Sequence, residues 1–432
     1  MQVTGIISEF NPFHRGHTVP IQAARTAMGG EGAVVCIMSG NCVQRGDLAV
    51  FRKTARAEAA IRCGADLVAE LPVPYVLSSA ERFAEGGVAL LAAMGQADTR
   101  LAFGCETADA EVLTAAAHAL NTPQIQANIK AKMGGGLPYG TACQTALDAV
   151  GDLGAPLRTP NNLLAIEYLR AIHRLGADIT PLTVQRKGAT HDSDTPTGGY
   201  ASATHLRERL RHRAQCPHCT LCGIYKDDAV RCGHRTLQKN DPWDYMPAAA
   251  TELFRRELAN GYGPVSLTHL EPAILTLLRL NQAPEGGWSD DSEGLSTRIK
   301  NIAAEVGSLQ ELLDKTKTKR YHLSRIRRLI LTMCLGLTPT HRPQVPPYIR
   351  VLAANQTGQA LLRRVTKTAS LPILSRPAEV KRLGETAIQI FTKESAVTDL
   401  MALCFAPHIR QGGSEWRAVP YISACSATPN NL

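Results

Sequence analysis

Apolar positions fall in short runs separated by stretches with helical spacing. Val3–Ser8, Ala33–Met38, Ala65–Leu71, Thr99–Phe103 and Ile179–Val184 are strand-length runs. Runs without alternation suit strands buried on both faces. Between them, Thr18–Met28, Thr54–Cys63, Arg82–Met94 and Leu163–Arg174 carry helical spacing and stop beside Gly29, Gly64, Gly95 and Gly176. Strands alternating with helices predict an α/β fold with a doubly wound parallel sheet, its ligands bound at the carboxyl ends of the strands. After Arg213 the pattern changes: residues 216–234 are rich in Cys and His, and from about Met246 the spacing is mostly helical. Ala303–Leu313 and Ser324–Leu335 are the clearest helices there, Ala283–Ser296 reads as a connector, and Tyr348–Leu352 reads as a further strand. The expected organisation is an α/β domain over 1–213, a Cys/His-rich insertion over 214–240 and a mostly helical region over 241–432.

Composition narrows the class. With 44% hydrophobic and 20% charged residues in 432, the chain can bury a sizeable core and is not a disordered protein. Its apolar runs are far shorter than the ~18 residues of a membrane span, and Met1–Gly5 lacks a charged signal region. Twelve cysteines are too sparse for a disulfide scaffold. These features predict a cytoplasmic protein with no membrane partner. The net charge of +9 is unevenly placed: Lys315–Ala378 holds thirteen of the 47 Lys and Arg and no Asp or Glu. The rest of the chain carries 34 basic against 38 acidic residues. A mildly acidic body with one basic segment predicts a polyanion partner, nucleic acid before membrane.

The sharpest chemical signal follows the first strand: Gly5-Ile-Ile-Ser-Glu-Phe-Asn-Pro-Phe-His14-Arg-Gly16-His17. A strand runs into a loop that opens a helix, whose N-terminal N–H groups favour phosphate. Gly16 allows close backbone approach. His14 and His17 can donate hydrogen bonds to a phosphate whose charge grows in a transition state. A second element, Ala201-Ser202-Ala203-Thr204-His205-Leu206-Arg207, sets hydroxyls before a basic helix, Leu206–Arg213, with Ser202 as its N-cap.

The His-x-Gly-His pattern resembles the signature of the nucleotidyltransferase and class I synthetase superfamily. A closer resemblance covers nearly the whole chain. Ile7–His17, Met38-Ser-Gly-Asn-Cys-Val-Gln-Arg-Gly46, Gly64–Pro72, Phe103-Gly-Cys-Glu106, Pro160-Asn-Asn-Leu-Leu-Ala-Ile-Glu-Tyr168, Lys317–Arg328 and Tyr348–Leu352 resemble, in order, the motifs of the bacterial tRNA(Met) cytidine acetate ligases. The resemblance implies a nucleotidyltransferase-like domain followed by a basic tRNA-binding region. It implies that ATP, with Mg2+ expected, and acetate give acetyl-adenylate. The acetyl group then passes to N4 of the wobble cytidine of elongator tRNA(Met). His14 and His17 would be catalytic. Nucleotide contacts would come from Ile7, Asn11, Pro12, His14, Gly16, His17 and Pro20, with Gly104, Asn161, Asn162, Arg186, Lys187, Ser202 and Thr204. Lys317, Lys319, Arg320, Arg325, Arg327 and Arg328 would contact the tRNA backbone.

Three departures stand out. Cys105 replaces an expected serine, Cys42 an expected aromatic, and Cys216, Cys219, Cys222, Cys232 and His234 form an unexpected insertion. Cys-x2-Cys followed by Cys-x-His has spacing that a structural Zn2+ could use, and a Cys-rich surface insertion with free thiols is the alternative. A coenzyme-type small-molecule adenylyltransferase shares the His-x-Gly-His loop but does not need the acid-free basic segment. A non-catalytic RNA-binding protein would not need intact His14, Gly16 and His17.

Overall fold

The computed structural model describes residues 1–151, 153–186, 198–215 and 241–424. The five expected strands form: β1 (Val3–Ser8), β2 (Ala33–Ser39), β5 (Leu67–Leu71), β6 (Thr99–Cys105) and β7 (Ile179–Gln185). Between β2 and β5, a small antiparallel hairpin is made by β3 (Cys42–Val43) and β4 (Asp47–Leu48). Three more strands come from the C-terminal region: β8 (Ile349–Ala354), β9 (Ile373–Leu374) and β10 (Tyr421–Ile422).

The main sheet runs β10-β8-β5-β2-β1-β6-β7, with β9 also paired to β8. Every pairing in it is parallel except β5 with β8. β2 shows why the runs lack alternation: all seven of its residues are buried. Ala33, Val35 and Ile37 enter the core on one face, while Val34, Cys36 and Met38 enter the core on the other. Helices therefore cover both faces, as the α/β reading requires. Strand order reverses between β1 and β6, which places the ligand crevice of such a sheet at the carboxyl ends of those two strands.

The division into 1–213 and 241–432 is not a division of the core. β8 lies beside β5, and its Ile349 and Val351 pack into one face's core while Leu352 and Ala353 pack into the other. Without β8, the apolar β5 would be an open edge. The expected helix Ala303–Leu313 is in fact two, Leu295–Glu305 and Leu309–Thr316. Helical spacing continues across the break, but Val306 turns to extended backbone and Ser308 N-caps the second helix by accepting from Glu311 N–H at 3.1 Å.

A buried ionic cluster fastens the C-terminal segment to the sheet. Lys53 Nζ reaches Glu70 Oε1 at 2.6 Å and Glu415 Oε1 at 2.7 Å, and Arg350 Nη1 reaches Glu70 Oε2 at 3.0 Å and also pairs with Glu415. Glu394 joins at the edge, 4.0 Å from Lys53 Nζ. Two cations cannot neutralise three carboxylates. Burial, reinforced by Glu70, raises Glu394 well above the usual carboxylate range, so it keeps its proton. Burial would also raise Glu415, but Lys53 and Arg350 outweigh it and hold that carboxyl at about 2. Its pairing thus stabilises the fold above the unfolded carboxyl value of 4.5, and that contribution is lost as pH falls toward 2. Lys53→Met leaves buried carboxylates without their counter-ion. It should cost about 3–5 kcal/mol in denaturant unfolding at pH 7, with a smaller cost near pH 3, where the orphaned carboxyls take up protons. A loss below ~1 kcal/mol at pH 7 would show that the cluster does not hold the segment.

Candidate active site

β1 ends at Ser8, and the chain turns sharply. Phe10 has φ of +47°, a left-handed conformation that costs a bulky residue energy. The turn is fixed by burial: the Phe10 ring is 1% exposed and packs 4.9 Å from Phe13 and 5.0 Å, edge-on, from His17. The chain then enters the helix Arg15–Ala27, which starts earlier than the apolar spacing indicates because His14 is its N-cap.

The cap is reciprocal. His14 Nδ1 accepts the Gly16 N–H at 3.0 Å, and His17 Nδ1 accepts the His14 N–H at 3.1 Å. In a neutral imidazole one nitrogen donates and the other accepts, so both rings must carry their proton on Nε2. The rings lie 3.9 Å apart and present two N–H donors side by side. Gly16 is required here: a Cβ would sit 2.7 Å from His14 Cε1. The cap also changes what the helix end offers. The Gly16 N–H is taken by the ring and the His17 N–H by the His14 carbonyl at 2.8 Å. Less backbone N–H is left for a phosphate than the sequence suggests, and the two Nε2–H groups replace it.

Both rings stay neutral. Burial, with Arg186 and Arg207 nearby, lowers His14 to about 3, while burial, His14 and Arg186 lower His17 well below its ordinary 6.5.

The histidines line a cavity of about 340 Å³ at the β1/β6 reversal. Ile7, Asn11, Gly16, Pro20, Gly104, Asn161, Arg186 and Ser202 line it with them. Gly104 is exposed on its floor, and a Cβ there would meet only Arg186 Cγ, at 3.5 Å. Arg186 continues from β7 and donates to Asn161 Oδ1 at 2.8 Å, while Asn161 Nδ2 donates to Glu106. Ser202 N-caps the helix Ala203–Gln215 by accepting from His205 N–H at 3.1 Å.

Other expected residues serve as supports. Asn162 is 1% exposed and does not line the cavity; its Oδ1 accepts from Glu106 and Thr107 N–H at 2.9 and 3.1 Å. Thr204 is displaced from the contact set by its own helix: its hydroxyl accepts from Arg207 Nη2 at 3.0 Å. Pro12 is buried outside the lining, and Lys187 lies outside the described residues. Asn11 reaches the cavity, but its Oδ1 holds Val50 N–H at 2.8 Å and its carbonyl accepts from Arg207 Nη1 at 2.9 Å. Cys105 and Cys42 are both buried and neither lines the cavity.

Arg207, Glu9, Gln44, Arg45 and Tyr168 also line the cavity, although spacing alone does not point to them. Each lies inside one of the motifs, but only tertiary proximity shows that the β3–β4 hairpin reaches β1. Gln44 N–H donates to Glu9 Oε1 at 2.6 Å.

The basic residues divide. Arg328 is half-buried and donates from Nη1 to the Gln44 carbonyl at 3.1 Å; its pKa is lowered to about 10 by burial. It is thereby fastened to the cavity wall, whereas the resemblance implies a contact with the tRNA backbone. The hairpin touches this helix, Leu323–Leu335, at Gly46, where φ is +75° and a Cβ would fall 2.4 Å from Arg328 N. Arg320 and Arg325 share Glu293 at 2.6 and 3.4 Å. Lys317 and Lys319 are exposed. The five Cys and His of the insertion lie outside the described residues.

These features define the class: a parallel-sheet protein whose His-x-Gly-His loop opens a nucleotide-sized cavity at the strand reversal, and the HIGH nucleotidyl transferase profile matches residues 1–414. More narrowly, the chain belongs to the tRNA(Met) cytidine acetate ligase family. The ligase of that name from Caldanaerobacter subterraneus subsp. tengcongensis is 35% identical over 94% of this chain and 96% of its own length. That from Acetivibrio thermocellus is 31% identical over 96% and 98%. Crystal structures of Thermotoga maritima TmcAL, 28% identical, superpose with TM-scores of 0.86 for the apo form and 0.85 for the form bound with alpha-thio ATP. Each covers 98% of this chain and all of the Thermotoga chain.

The cap makes a direct prediction. Imidazole nitrogen NMR should show both rings neutral and Nε2-protonated at pH 7 and still neutral at pH 5. Because their folded values lie below 6.5, the rings favour the folded state fully above pH 6.5, and that contribution declines on acidification. Gly16→Ala should expel His14 from its cap, cost about 1 kcal/mol and return the ring toward ordinary titration. Unchanged ring signals in that variant would refute the cap.

Proposed function

We propose that the protein is an ATP-dependent ligase that activates acetate as acetyl-adenylate and transfers the acetyl group to N4 of the wobble cytidine of elongator tRNA(Met), giving N4-acetylcytidine. The observation that carries this reading is the pair of Nε2–H donors fixed on the wall of the cavity, in a chain that matches acetate ligases almost end to end. Acetate is a poor acyl donor, and cytidine N4 is a weak nucleophile. In the first stage an acetate oxygen attacks the α-phosphorus of ATP and pyrophosphate leaves. Negative charge that builds on the phosphate oxygens meets two neutral donors that need no rearrangement. Arg207 and the Ser202-capped helix start suit the departing pyrophosphate, and Gly104, Asn161 and Arg186 suit the nucleoside end. Mg2+ would accompany the triphosphate: among the described residues no group of three or more His, Cys, Asp or Glu could hold a metal. In the second stage N4 attacks the acetyl carbonyl and AMP leaves.

Lys317, Lys319 and Arg327, beside Arg320 and Arg325, would hold the tRNA backbone near the hairpin that walls the cavity. A cytoplasmic location fits this substrate, and no helix among the described residues is long and apolar enough to cross a membrane. A structural Zn2+ on Cys216, Cys219, Cys222, Cys232 and His234 is a separate proposal, tested by metal analysis of protein purified without a histidine tag.

The protein should catalyse ATP–pyrophosphate exchange that depends on acetate and needs no RNA. His17→Ala should slow it by ~10²–10³ while weakening ATP binding far less. A phosphorylated small molecule that drives exchange in place of acetate would point instead to a coenzyme-type adenylyltransferase.

The tRNA assignment has its own test. Lys317→Glu/Lys319→Glu should raise the tRNA Kd and flatten its salt dependence, the log–log slope falling by about 0.7–0.9 for each phosphate the protein no longer neutralises, with exchange intact. Wild-type salt dependence in that variant would remove these lysines from the interface.

A further inference from the structure

Transfer to N4 has a proton to dispose of. The nitrogen lone pair forms the C–N bond at the acetyl carbonyl, the bond from that carbon to the phosphate oxygen breaks, and AMP leaves with its electron pair. The new amide nitrogen must lose one N4 proton.

The histidines cannot take it. Each Nδ1 already accepts a backbone N–H, and each Nε2 already bears hydrogen. Arg45, Arg186 and Arg207 line the cavity as guanidiniums, and Tyr168 and Tyr200 as phenols. A guanidinium has no lone pair to take a proton, and a phenol oxygen is a far weaker base than a carboxylate. One group among the described lining residues can accept it: Glu9, the only carboxylate among them.

We propose that Glu9 is the general base of the acetyl-transfer step, taking the N4 proton on Oε2 as the carbonyl carbon is attacked and releasing it to solvent with the product. This rests on the acetyl-adenylate reading above.

The geometry suits a base. Glu9 lies one residue beyond β1, five residues before His14 on the same loop. Oε1 is held by the Gln44 N–H at 2.6 Å, which orients the carboxylate. Arg56 and Arg207 do not consume it. Arg56, from the helix Lys53–Arg62, donates to the carbonyls of Glu9, Phe51, Ser39 and Gly40. Arg207, from the helix Ala203–Gln215, donates to the Asn11 carbonyl and the Thr204 hydroxyl. Burial raises the Glu9 carboxyl, against the Gln44 hydrogen bond and the charges of Arg207, Arg56 and Arg45. Tyr168, from the helix Pro160–Leu175, faces it with a phenol that burial also raises. A carboxylate with a raised pKa is a stronger base than an exposed one.

The test separates the two half-reactions. Enzyme is loaded with ATP and acetate, pyrophosphatase removes the pyrophosphate, and tRNA is mixed in for a single turnover. In Glu9→Gln, transfer should slow by ~10²–10⁴, while acetate-dependent exchange falls less than tenfold. The wild-type transfer rate should rise with pH and level off as Glu9 ionises. The glutamine variant should lose that limb, and Glu9→Asp should restore it in part. Wild-type transfer by Glu9→Gln, or equal losses in both half-reactions, would overturn the assignment. A wild-type protein without acetate-dependent exchange would instead overturn the acetyl-adenylate reading and, with it, the step given to Glu9.

Discussion

The reciprocal cap between His14 and His17 is the contact on which the site depends. A serine or aspartate could satisfy the same helix end. Only an imidazole ties that backbone bond to its own tautomer, because accepting at Nδ1 commits hydrogen to Nε2. Three arginines line the cavity, so an imidazolium there would be repelled as well as desolvated. Neutral rings add donors without adding charge, and their orientation is set before any ligand arrives. This preorganisation suits charge that appears only during reaction. It also needs Gly16, since any side chain there would occupy the space of the capping ring.

The β3–β4 hairpin carries that geometry to the rest of the molecule. Gln44 meets the cavity through Glu9 and the basic helix through Arg328, Asp47 pairs with Arg211 at 3.0 Å, and Asn41 Oδ1 accepts from Lys53 N–H at 2.8 Å. Lys53 in turn belongs to the ionic cluster that anchors Glu415. The hairpin thus adds a third link between the chain's two ends, beside the β5–β8 pairing and the ionic cluster. This is why the C-terminal region, although mostly helical in pattern, must supply strands: β8 closes the edge of β5 and brings Arg350 to the same cluster.

The central strands were legible because a strand buried on both faces has no polar positions to confuse its reading, as β2 shows. The helix start at Arg15 was not, since an apolar spacing cannot show that a histidine caps it. Nor could spacing separate Asn161 from Asn162. Adjacent on a helix start, one faces the cavity and the other holds the backbone of Glu106 and Thr107. Glu9 and Arg207 stood inside recognisable motifs, but their place at the cavity depends on contacts across 35 and 196 residues of sequence, from Gln44 to Glu9 and from Arg207 to Asn11.

Charge shows the same limit most clearly. The acid-free segment Lys315–Ala378 is one block along the chain but four environments in the fold. Lys317–Arg328 lies beside the hairpin at the carboxyl ends of the strands, partly countered by Glu293. Arg342 pairs with Asp290 at 2.6 Å, and Arg350 is buried in the ionic cluster. Arg363, Arg364 and Lys367 sit on the helix Gln356–Thr368. That helix begins against Asp66, just before β5, and ends against Met94 and Gln96, just before β6. It therefore lies under the amino ends of the strands, on the far side of the sheet from the cavity. Charges separated by more than about 10 Å are largely screened at physiological salt, so these groups do not act as one field. Among the described residues of the segment, the first group is the one that touches the cavity wall, through Arg328 and the Gln44 carbonyl. The segment's net charge therefore overstates the basic surface near the cavity, and the contact at Gly46 fixes which part of it lies there.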